Sequence, residues 1–317
     1  MPQQRQNGAV PVVSVVMIFL NGEAFIEEAV QSVRDQELAD WELILVDDGS
    51  TDRSTQLARD LVAKDGRIRY VDHPGHENRG MSASRNLGAA HARASYLAFL
   101  DADDVWMPTK LAEQVALLES MPDVAMVSGA IEFWYSWDPA STKTDDIRLP
   151  GVERFVDRRL DPPEAALELH PLKLRTPGRR HTCAVMEILI RRSVFDAVGG
   201  FEESFRGHFE DQAFYMKVFL RYPIYLSSRC WLRYRQHDAS CQGKATRKAK
   251  WRRRGEYLDW VQGLVDGGWL DDPRVNAAVR RSRRQIPYLV LAASIVQTAE
   301  RFRVPRERFH RGVQVSQ

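Results

Sequence analysis

The sequence predicts an α/β fold in which a mostly parallel, Rossmann-like central sheet is flanked by helices. Apolar runs rich in β-branched residues alternate with segments whose apolar residues recur at helical spacing. Two acidic clusters, Asp47-Asp48 and Asp101 to Asp104, directly follow two of these runs. Because ligands of such sheets bind at the carboxyl ends of the strands, both clusters are expected to face one cleft.

The spacing of the apolar residues predicts the individual strands and helices. Val12 to Phe19 is almost entirely apolar and β-branched, which is typical of a strand buried on both faces. Ile26, Val30 and Val33 then share one side of a helix. Further strands are predicted at 41–46, 68–71, 96–100 and 124–128, with helices through 57–62 and 83–92. This alternation indicates a parallel sheet with crossover helices.

Beyond residue 128 the pattern is less regular. An aromatic group that includes Trp134 and Trp137 precedes a loop rich in proline and charge. The sequence then predicts a strand at 185–190, a helix from 193, a helix opened by Glu210-Asp211, and strands near 224 and 231. From residue 244 onward a C-terminal helical extension is expected.

Composition narrows the class of protein. No run of eighteen apolar residues occurs, and the N-terminus lacks the apolar core of a signal peptide, so a cytoplasmic protein without a membrane span is expected. The three cysteines, Cys183, Cys230 and Cys241, form no CxxC pair. Their odd number argues against a disulfide framework and indicates a reducing compartment.

The net charge of +2 conceals a division of the chain. Residues 244–317 contain 17 Lys and Arg against 7 Asp and Glu, so this region carries +10 and the preceding residues carry −8. Solvated helix faces would account for this, and so would peripheral contact with an anionic membrane on the cytoplasmic face of the inner membrane. No motif of a nucleic-acid-binding fold accompanies the basic clusters, so no nucleic-acid partner is expected.

The second acidic cluster predicts a metal site. In an extended strand end, Asp101 and Asp103 would project from the same side of the backbone, because alternate residues share a face. Mg²⁺ and Mn²⁺ bind through one or two protein carboxylates and complete their coordination with water and substrate phosphate oxygens. The cluster thus suits a Mn²⁺ or Mg²⁺ cofactor and a diphosphate substrate, and a solvated acidic turn is the alternative.

A series of motifs in fixed order adds a family resemblance. The series comprises a valine-rich strand ending in Asn21-Gly22, DDGSTD from Asp47, NRGMSASRNLGAA from Asn78, LDADD from Leu100, GGFEESF from Gly199, Glu210-Asp211 and RQHDAS from Arg235. Over residues 12–242 this series resembles the family 2 inverting glycosyltransferases, which have the glycosyltransferase A fold. The resemblance implies sugar transfer from a nucleoside-diphosphate donor to a saccharide or lipid-linked acceptor, as in polysaccharide synthesis.

By the same resemblance, Asp103 and four further residues are expected to bind the donor. Asp48 resembles the residue that hydrogen-bonds the donor base, and Asp47 supports the end of its strand. Arg85 resembles the arginine beside the base and diphosphate, and Asp101 the aspartate on the ribose side. After Phe19 the chain lacks the tyrosine that stacks on the donor base in many relatives, so the motif does not identify the base. UDP is expected because it is the common donor nucleotide of the family.

The remaining motif positions imply the metal ligands and the base. Asp103 resembles the direct metal ligand, and His237 the late histidine that reaches the metal or diphosphate. Asp211 resembles the catalytic base, and displacement at an anomeric carbon independently needs a carboxylate to accept the hydroxyl proton. Glu210 is expected on the acceptor side, although Glu210 and Asp211 could instead complement a helix macrodipole.

These assignments divide the chain into a flexible N-terminus (1–11), a nucleotide-sugar-binding half (12–128), an acceptor and catalytic half (129–243) and a basic extension (244–317). Trp134 and Trp137 are expected near the acceptor, where aromatic rings stack on sugars, with a core or lid role as the alternative. Two other functions stay open. Asp101 could be the nucleophile of a haloacid-dehalogenase-like phosphatase, and the chain could bind sugar nucleotides without turnover.

Overall fold

The computed structural model describes residues 10–148, 155–169, 172, 185–237 and 246–301. Residues Cys183, Cys241, 238–240 and 244, which entered the sequence interpretation, lie outside these ranges. The strands are β1 (Val13–Phe19), β2 (Trp41–Asp47), β3 (Ile68–Asp72), β4 (Tyr96–Asp101), β5 (Val105–Trp106), β6 (Met126–Trp134), β7 (Asp146–Arg148), β8 (Arg158–Leu160), β9 (Leu189–Arg191) and β10 (Ile224–Arg235).

The helices lie between the strands and after them. They are α1 (Ile26–Arg34), α2 (Ser54–Lys64), α3 (Met81–His91), α4 (Lys110–Ser120), α5 (Glu164–Glu168), α6 (Arg192–Ala197), α7 (Glu210–Phe219), α8 (Arg247–Asp266) and α9 (Pro273–Arg301). Short 3-10 turns occur at Pro74–His76 and Val185–Glu187. The predicted α/β fold and the C-terminal helices are confirmed.

A single sheet runs in the order β3-β2-β1-β4-β9-β6-β10-β5, with β7 beside β6 and β8 beside β10. Strands β1 to β4 pair in parallel, and β6 pairs in parallel with β10. Strand β9 lies antiparallel between β4 and β6, so these two strands run in the same direction. The carboxyl ends of β1, β2, β4, β6 and β10 consequently meet at one edge.

The small residues of α3 bring this helix close to the sheet. A Cβ atom built on Gly88 would lie 2.3 Å from Cγ1 of Val16 and 2.9 Å from Cγ2 of Val46. Only glycine permits this approach, because no real Cβ atom comes so near to another carbon. The close packing of α3 against β1 and β2 fixes the position of Arg85, one turn before Gly88 on the same helix.

Three of the predicted strands are arranged differently in the structure. Residues Val185–Glu187 form a 3-10 turn, and the strand begins only at Leu189. The reason is Glu187, whose buried carboxylate accepts hydrogen bonds from Oγ of Ser128 and from the Gly129 N–H, which takes the chain out of the strand register. The strands predicted near 224 and 231 are one strand, β10, with register shifts between Leu226 and Leu232.

The C-terminal helices pack on the body of the protein. Tyr257 of α8 is fully buried and its ring stacks on Phe209, with centroids 5.0 Å apart. Val275 and Val279 of α9 are also fully buried. In the part of the chain that the structure describes, no helix is long and apolar enough to cross a membrane.

Candidate functional site

Asp47 and Asp48 anchor the end of β2. Asp47 is fully buried, and its carboxylate accepts a hydrogen bond from the Ser50 N–H at 2.8 Å. Asp48 accepts hydrogen bonds from the backbone N–H groups of Arg79 at 2.7 Å and Gly80 at 3.0 Å. These bonds tie the segment before α3 to the strand end, so Asp48 faces the same edge of the sheet as Asp101.

Arg85 links two carboxylates that are far apart in sequence. Its Nη2 donates to Asp101 Oδ1 at 2.9 Å and Oδ2 at 3.2 Å, and its Nη1 donates to Asp211 Oδ1 at 3.1 Å. The Arg85 residue is 1% exposed, so these charge-assisted bonds form almost out of contact with solvent. One guanidinium therefore joins the end of β4 to the first turn of α7.

The carboxyl groups of Asp101 and Asp211 have higher pKa values than ordinary aspartates. Burial raises the pKa of Asp211 to about 6; the positive charge of Arg85 opposes this rise, whereas the negative charges of Asp101 and Glu210 add to it. Burial also raises the pKa of Asp101, against the attraction of Arg85. A carboxylate whose pKa lies near neutral pH is suited to accepting and releasing a proton.

The turn before α7 has an unusual conformation that aims the first residues of this helix. Phe209 has a φ of 69°, in the left-handed region that non-glycine residues rarely adopt. Glu210 is buried, and its carboxylate accepts a hydrogen bond from the Gly207 N–H. The structure therefore places the Glu210 side chain in the loop behind the helix start, while the Asp211 side chain is 30% exposed at the edge of the sheet.

The second acidic cluster offers three oxygens to a cation. Carboxylate oxygens of Asp101, Asp103 and Asp104 all lie within 4.8 Å of one another. His237 Nε2 lies 3.0 Å from Asp103 Oδ2, so a nitrogen ligand stands beside the oxygens. Strand β4 ends at Asp101 and a turn follows, which means that the predicted extended arrangement of Asp101 and Asp103 is wrong although their oxygens still converge.

Asp104, which sequence interpretation gave no separate role, is fully buried in this cluster. Its Oδ1 accepts a hydrogen bond from the Arg235 N–H at 2.9 Å. Its Oδ2 is buried and has no hydrogen-bond partner within the described residues. Burial, with the charges of Asp103 and Asp101, raises the pKa of Asp104 well above its usual value. An unpartnered carboxylate oxygen beside two further carboxylates fits a hard divalent cation.

Arg235 was also missed as a site residue, although it begins the RQH motif. Its Nε donates to the Asp103 carbonyl oxygen at 2.8 Å, and its Nη2 donates to Glu28 at 2.5 Å. Together with the bond from its backbone to Asp104, these contacts fasten the turn after β4 to the end of β10. The residue is 4% exposed, so the contacts are shielded from solvent.

Three aromatic rings surround the Arg235 guanidinium. Its Cζ lies 4.4 Å from the ring centroid of Trp134, 4.8 Å from Phe25 and 5.0 Å from Trp137, distances at which cation–π attraction operates. Phe25 also packs beside the His237 ring, with centroids 5.2 Å apart. Trp134 and Trp137, which were expected near an acceptor, therefore lie beside Arg235, and Trp137 also lies beside His237. Arg235 and His237 both contact Asp103 of the acidic cluster.

The predicted residues Arg85, Asp101, Asp103, Asp211 and His237 thus form one connected group through hydrogen bonds and adjoining carboxylates. Asp47 and Asp48 lie at the same edge, at the end of β2, which β1 separates from β4. The group combines the buried guanidinium of Arg85, the carboxyl of Asp211 with its raised pKa, and a cluster of carboxylates that could bind a metal ion. Such a set can bind a polyanionic ligand and accept a proton beside it.

Comparison with known proteins gives a consistent result. Residues 14–199, more than half of the chain, match the model of the family described as Glycosyl transferase family 2. The uncharacterized glycosyltransferase EpsJ of Bacillus subtilis is 43% identical over 95 residues, which cover 30% of this chain and 27% of EpsJ. TuaG of B. subtilis, named for teichuronic acid biosynthesis, is 39% identical over 108 residues, covering 34% of this chain and 42% of TuaG. The chain thus spans less than half the length of these relatives.

Solved structures share the fold at low sequence identity. TarS 1–349 of S. aureus, in complex with UDP, has a TM-score of 0.60 and 16% identity, covering 86% of this chain and 71% of that chain. The mannosyltransferase PcManGT of Pyrobaculum calidifontis, in complex with GDP-Man and Mn²⁺, has a TM-score of 0.54 and 16% identity, covering 94% and 77% of the two chains.

Proposed function

Because the chain belongs to glycosyl transferase family 2 and is a glycosyltransferase, we propose that it is metal-dependent and inverts the anomeric configuration of the transferred sugar. The donor is a nucleoside-diphosphate sugar, with UDP favoured, and the acceptor is a hydroxyl of a saccharide or lipid-linked saccharide. The observation that carries this proposal is the bridge of Arg85 between Asp101, on the donor side, and Asp211, the base.

Donor binding uses the ends of β2 and β4. Asp48 hydrogen-bonds the base, Asp47 holds the strand end, and Asp101 lies toward the ribose. Arg85 supplies the positive charge that allows these carboxylates to stand near a diphosphate, and its buried Nε has no partner within the described residues. The structural neighbours in complex with UDP and GDP-Man support this class of donor.

The acidic cluster is the proposed metal site. Asp103 and His237 would hold Mn²⁺ or Mg²⁺, and Asp104 adds a third carboxylate to the same cluster. The cation supplies positive charge to the departing diphosphate when it is bound. Arg235 keeps Asp103 in place through the carbonyl bond, and the surrounding aromatic rings keep solvent away from that contact.

Asp211 acts as the base in a single displacement. Its carboxylate accepts the proton of the acceptor hydroxyl while the hydroxyl oxygen forms a bond to the anomeric carbon. The bond from that carbon to the diphosphate oxygen breaks on the opposite face, and its electron pair leaves with the nucleoside diphosphate. An α-linked donor therefore gives a β-linked product, because one displacement inverts the carbon.

The phosphatase alternative finds no support at Asp101. Both oxygens of this carboxylate accept hydrogen bonds from the same nitrogen of Arg85, which reduces their nucleophilicity. TuaG, with its name drawn from teichuronic acid biosynthesis, supports a role in polysaccharide assembly. The cytoplasmic location, the boundaries at residues 128 and 243, and contact of the basic extension with an anionic membrane stay predictions.

A ligand screen tests the proposal. Thermal unfolding is measured with UDP, GDP and other nucleoside diphosphates, each with Mn²⁺ and with EDTA. A ligand at about 100 times its dissociation constant should stabilise the fold by about 2.7 kcal/mol, and we expect this only with the metal. Asp103→Asn should remove the metal-dependent gain, whereas Asp60→Asn on the exposed face of α2 should keep it. Equal stabilisation in EDTA would take the metal out of the mechanism.

A further inference from the structure

The solvent face of α9 carries an apolar stripe that the proposed activity does not use. Tyr288 is 75% exposed, Leu291 60% and Ile295 62%, and these are three of the five large apolar side chains that are exposed in the described residues. Their spacing of three and four residues places them on one side of the helix. The stripe is contiguous, unlike the single exposed apolar residues that are normal on protein surfaces.

This stripe lies opposite the face by which α9 packs on the protein. Val279, Ser282 and Ala293 are buried, and the Ser282 hydroxyl donates to the Leu172 carbonyl oxygen. At about 100° per residue, these positions lie roughly 120–180° around the helix from Leu291. The fold therefore fixes α9 through its inner face and leaves the stripe without a packing partner in the described residues.

Three arginines continue the same outer face toward the start of the helix. Arg280, Arg281 and Arg284 are exposed and form no ion pair within the described residues, whereas neighbouring Arg283 pairs with Asp259 at 2.6 Å. They line a hollow of about 610 Å³, which Asp271 also borders. Arg284 stands one helical turn before Tyr288, so cationic and apolar groups follow each other along one surface.

We infer that this surface, Arg280, Arg281 and Arg284 followed by Tyr288, Leu291 and Ile295, docks on an anionic lipid bilayer. Arginine side chains can meet lipid phosphates while the adjoining apolar side chains enter the boundary between headgroups and acyl chains. Charge complementarity selects this occupant. A second copy of the chain, paired through the same face by two-fold symmetry, would bring six arginines together.

The surface is joined to the catalytic half by packing. Helix α9 packs along α8, and Tyr257 of α8 stacks on Phe209, two residues before Asp211. Docking would therefore hold the site near a bilayer that contains a lipid-linked acceptor, an implication that rests on the proposed function. The docking itself does not require that function.

Sedimentation with vesicles tests the inference on the full chain. Vesicles of phosphatidylcholine alone are compared with vesicles that also contain phosphatidylglycerol, at low and high salt. Each arginine near an anionic surface strengthens binding about fivefold, so Arg280→Gln/Arg281→Gln/Arg284→Gln should weaken it roughly 100-fold. Tyr288→Ser/Leu291→Ser/Ile295→Ser should weaken it at least about tenfold.

A matched control changes the same charge elsewhere. Arg53→Gln/Arg59→Gln/Lys64→Gln alters exposed residues at and within α2 and should bind vesicles like the unaltered chain. Unchanged sedimentation of both α9 variants, or equal binding to neutral vesicles, overturns the inference. So does a dimer in light scattering that the serine variant dissociates, because a second copy then occupies the face. UDP binding by calorimetry, measured on the same samples, separates failure of docking from failure of the proposed function.

Discussion

Replacing Asp211 by asparagine should separate catalysis from donor binding and from stability. The amide keeps the size of the side chain and an oxygen that can accept the 3.1 Å hydrogen bond from Arg85. It accepts no proton at neutral pH, so the general-base contribution is lost. Such a base contributes roughly 10²–10⁴ in rate, and we expect kcat to fall by that factor.

The structure also predicts the effect on stability. The pKa of Asp211 is about 6 in the fold against an ordinary 3.8, which corresponds to about 3 kcal/mol of preference for the neutral form. Because the folded protein retains a proton that the unfolded chain has released, stability falls as pH rises from about 4 to about 6, and the loss persists above that range. A neutral asparagine avoids this loss, so the variant should be at least as stable as the original at pH 7.

Three measurements on one preparation test this reasoning. Turnover with the acceptor gives kcat, calorimetry with UDP and Mn²⁺ gives donor affinity, and thermal unfolding gives stability. We expect a large fall in kcat, little change in affinity and no loss of stability. NMR of the product formed by the unaltered enzyme should show the inverted anomer.

Glu210→Gln is the companion variant, because Glu210 is the neighbouring carboxylate and its side chain binds the Gly207 N–H. If Asp211→Asn retains near-normal kcat while Glu210→Gln loses it, the base is Glu210. A product of retained configuration would refute the single displacement. A fall in UDP affinity as large as the fall in kcat would make Asp211 a binding residue.

Three further outcomes follow from the site. Below pH 6, kcat/KM should fall about tenfold per pH unit as Asp211 takes up a proton, and a flat profile from pH 5 to 8 would contradict this assignment. Arg85→Lys keeps the positive charge, but a single ammonium group cannot bond both Asp101 and Asp211 as the guanidinium does. Thermal unfolding should therefore show a loss of about 2 kcal/mol in the free energy of unfolding, and kcat should fall. A variant with full activity would show that catalysis does not need the bridge. Arg235→Gln should raise the Mn²⁺ concentration at which calorimetry detects UDP binding, since it releases the turn that holds Asp103. An unchanged Mn²⁺ requirement would contradict this supporting role of Arg235.

The parallel half of the fold could be predicted because its signals are local. Strand β1 is buried along its whole length, as its valine-rich composition predicts. The acidic residues at the ends of β2 and β4 then mark the edge of the sheet where ligands bind. The helix predicted over 83–92 is α3, and its close approach to the sheet at Gly88 is a finding of the structure.

The remaining features depend on contacts between distant parts of the chain. Nothing near Leu189 indicates that β9 runs antiparallel between two strands of common direction. Arg235 contacts Asp103, which lies 132 residues earlier, and Glu28, which lies 207 residues earlier. The two tryptophans were recognised as aromatic but not as neighbours of Arg235, because that position is set only when β6 and β10 pair.

The stacked pair of Phe209 and Tyr257 has a consequence for any shortened or chimeric version of this chain. A left-handed backbone at a non-glycine residue costs about 1–2 kcal/mol, and the contact with α8 helps to hold Phe209 in it. A chain that ends before α8, or that receives foreign C-terminal helices without an aromatic residue at position 257, would allow Phe209 to relax. The first turn of α7, which carries Asp211, would then shift, and the proposed sugar transfer would be impaired by a change remote from the site.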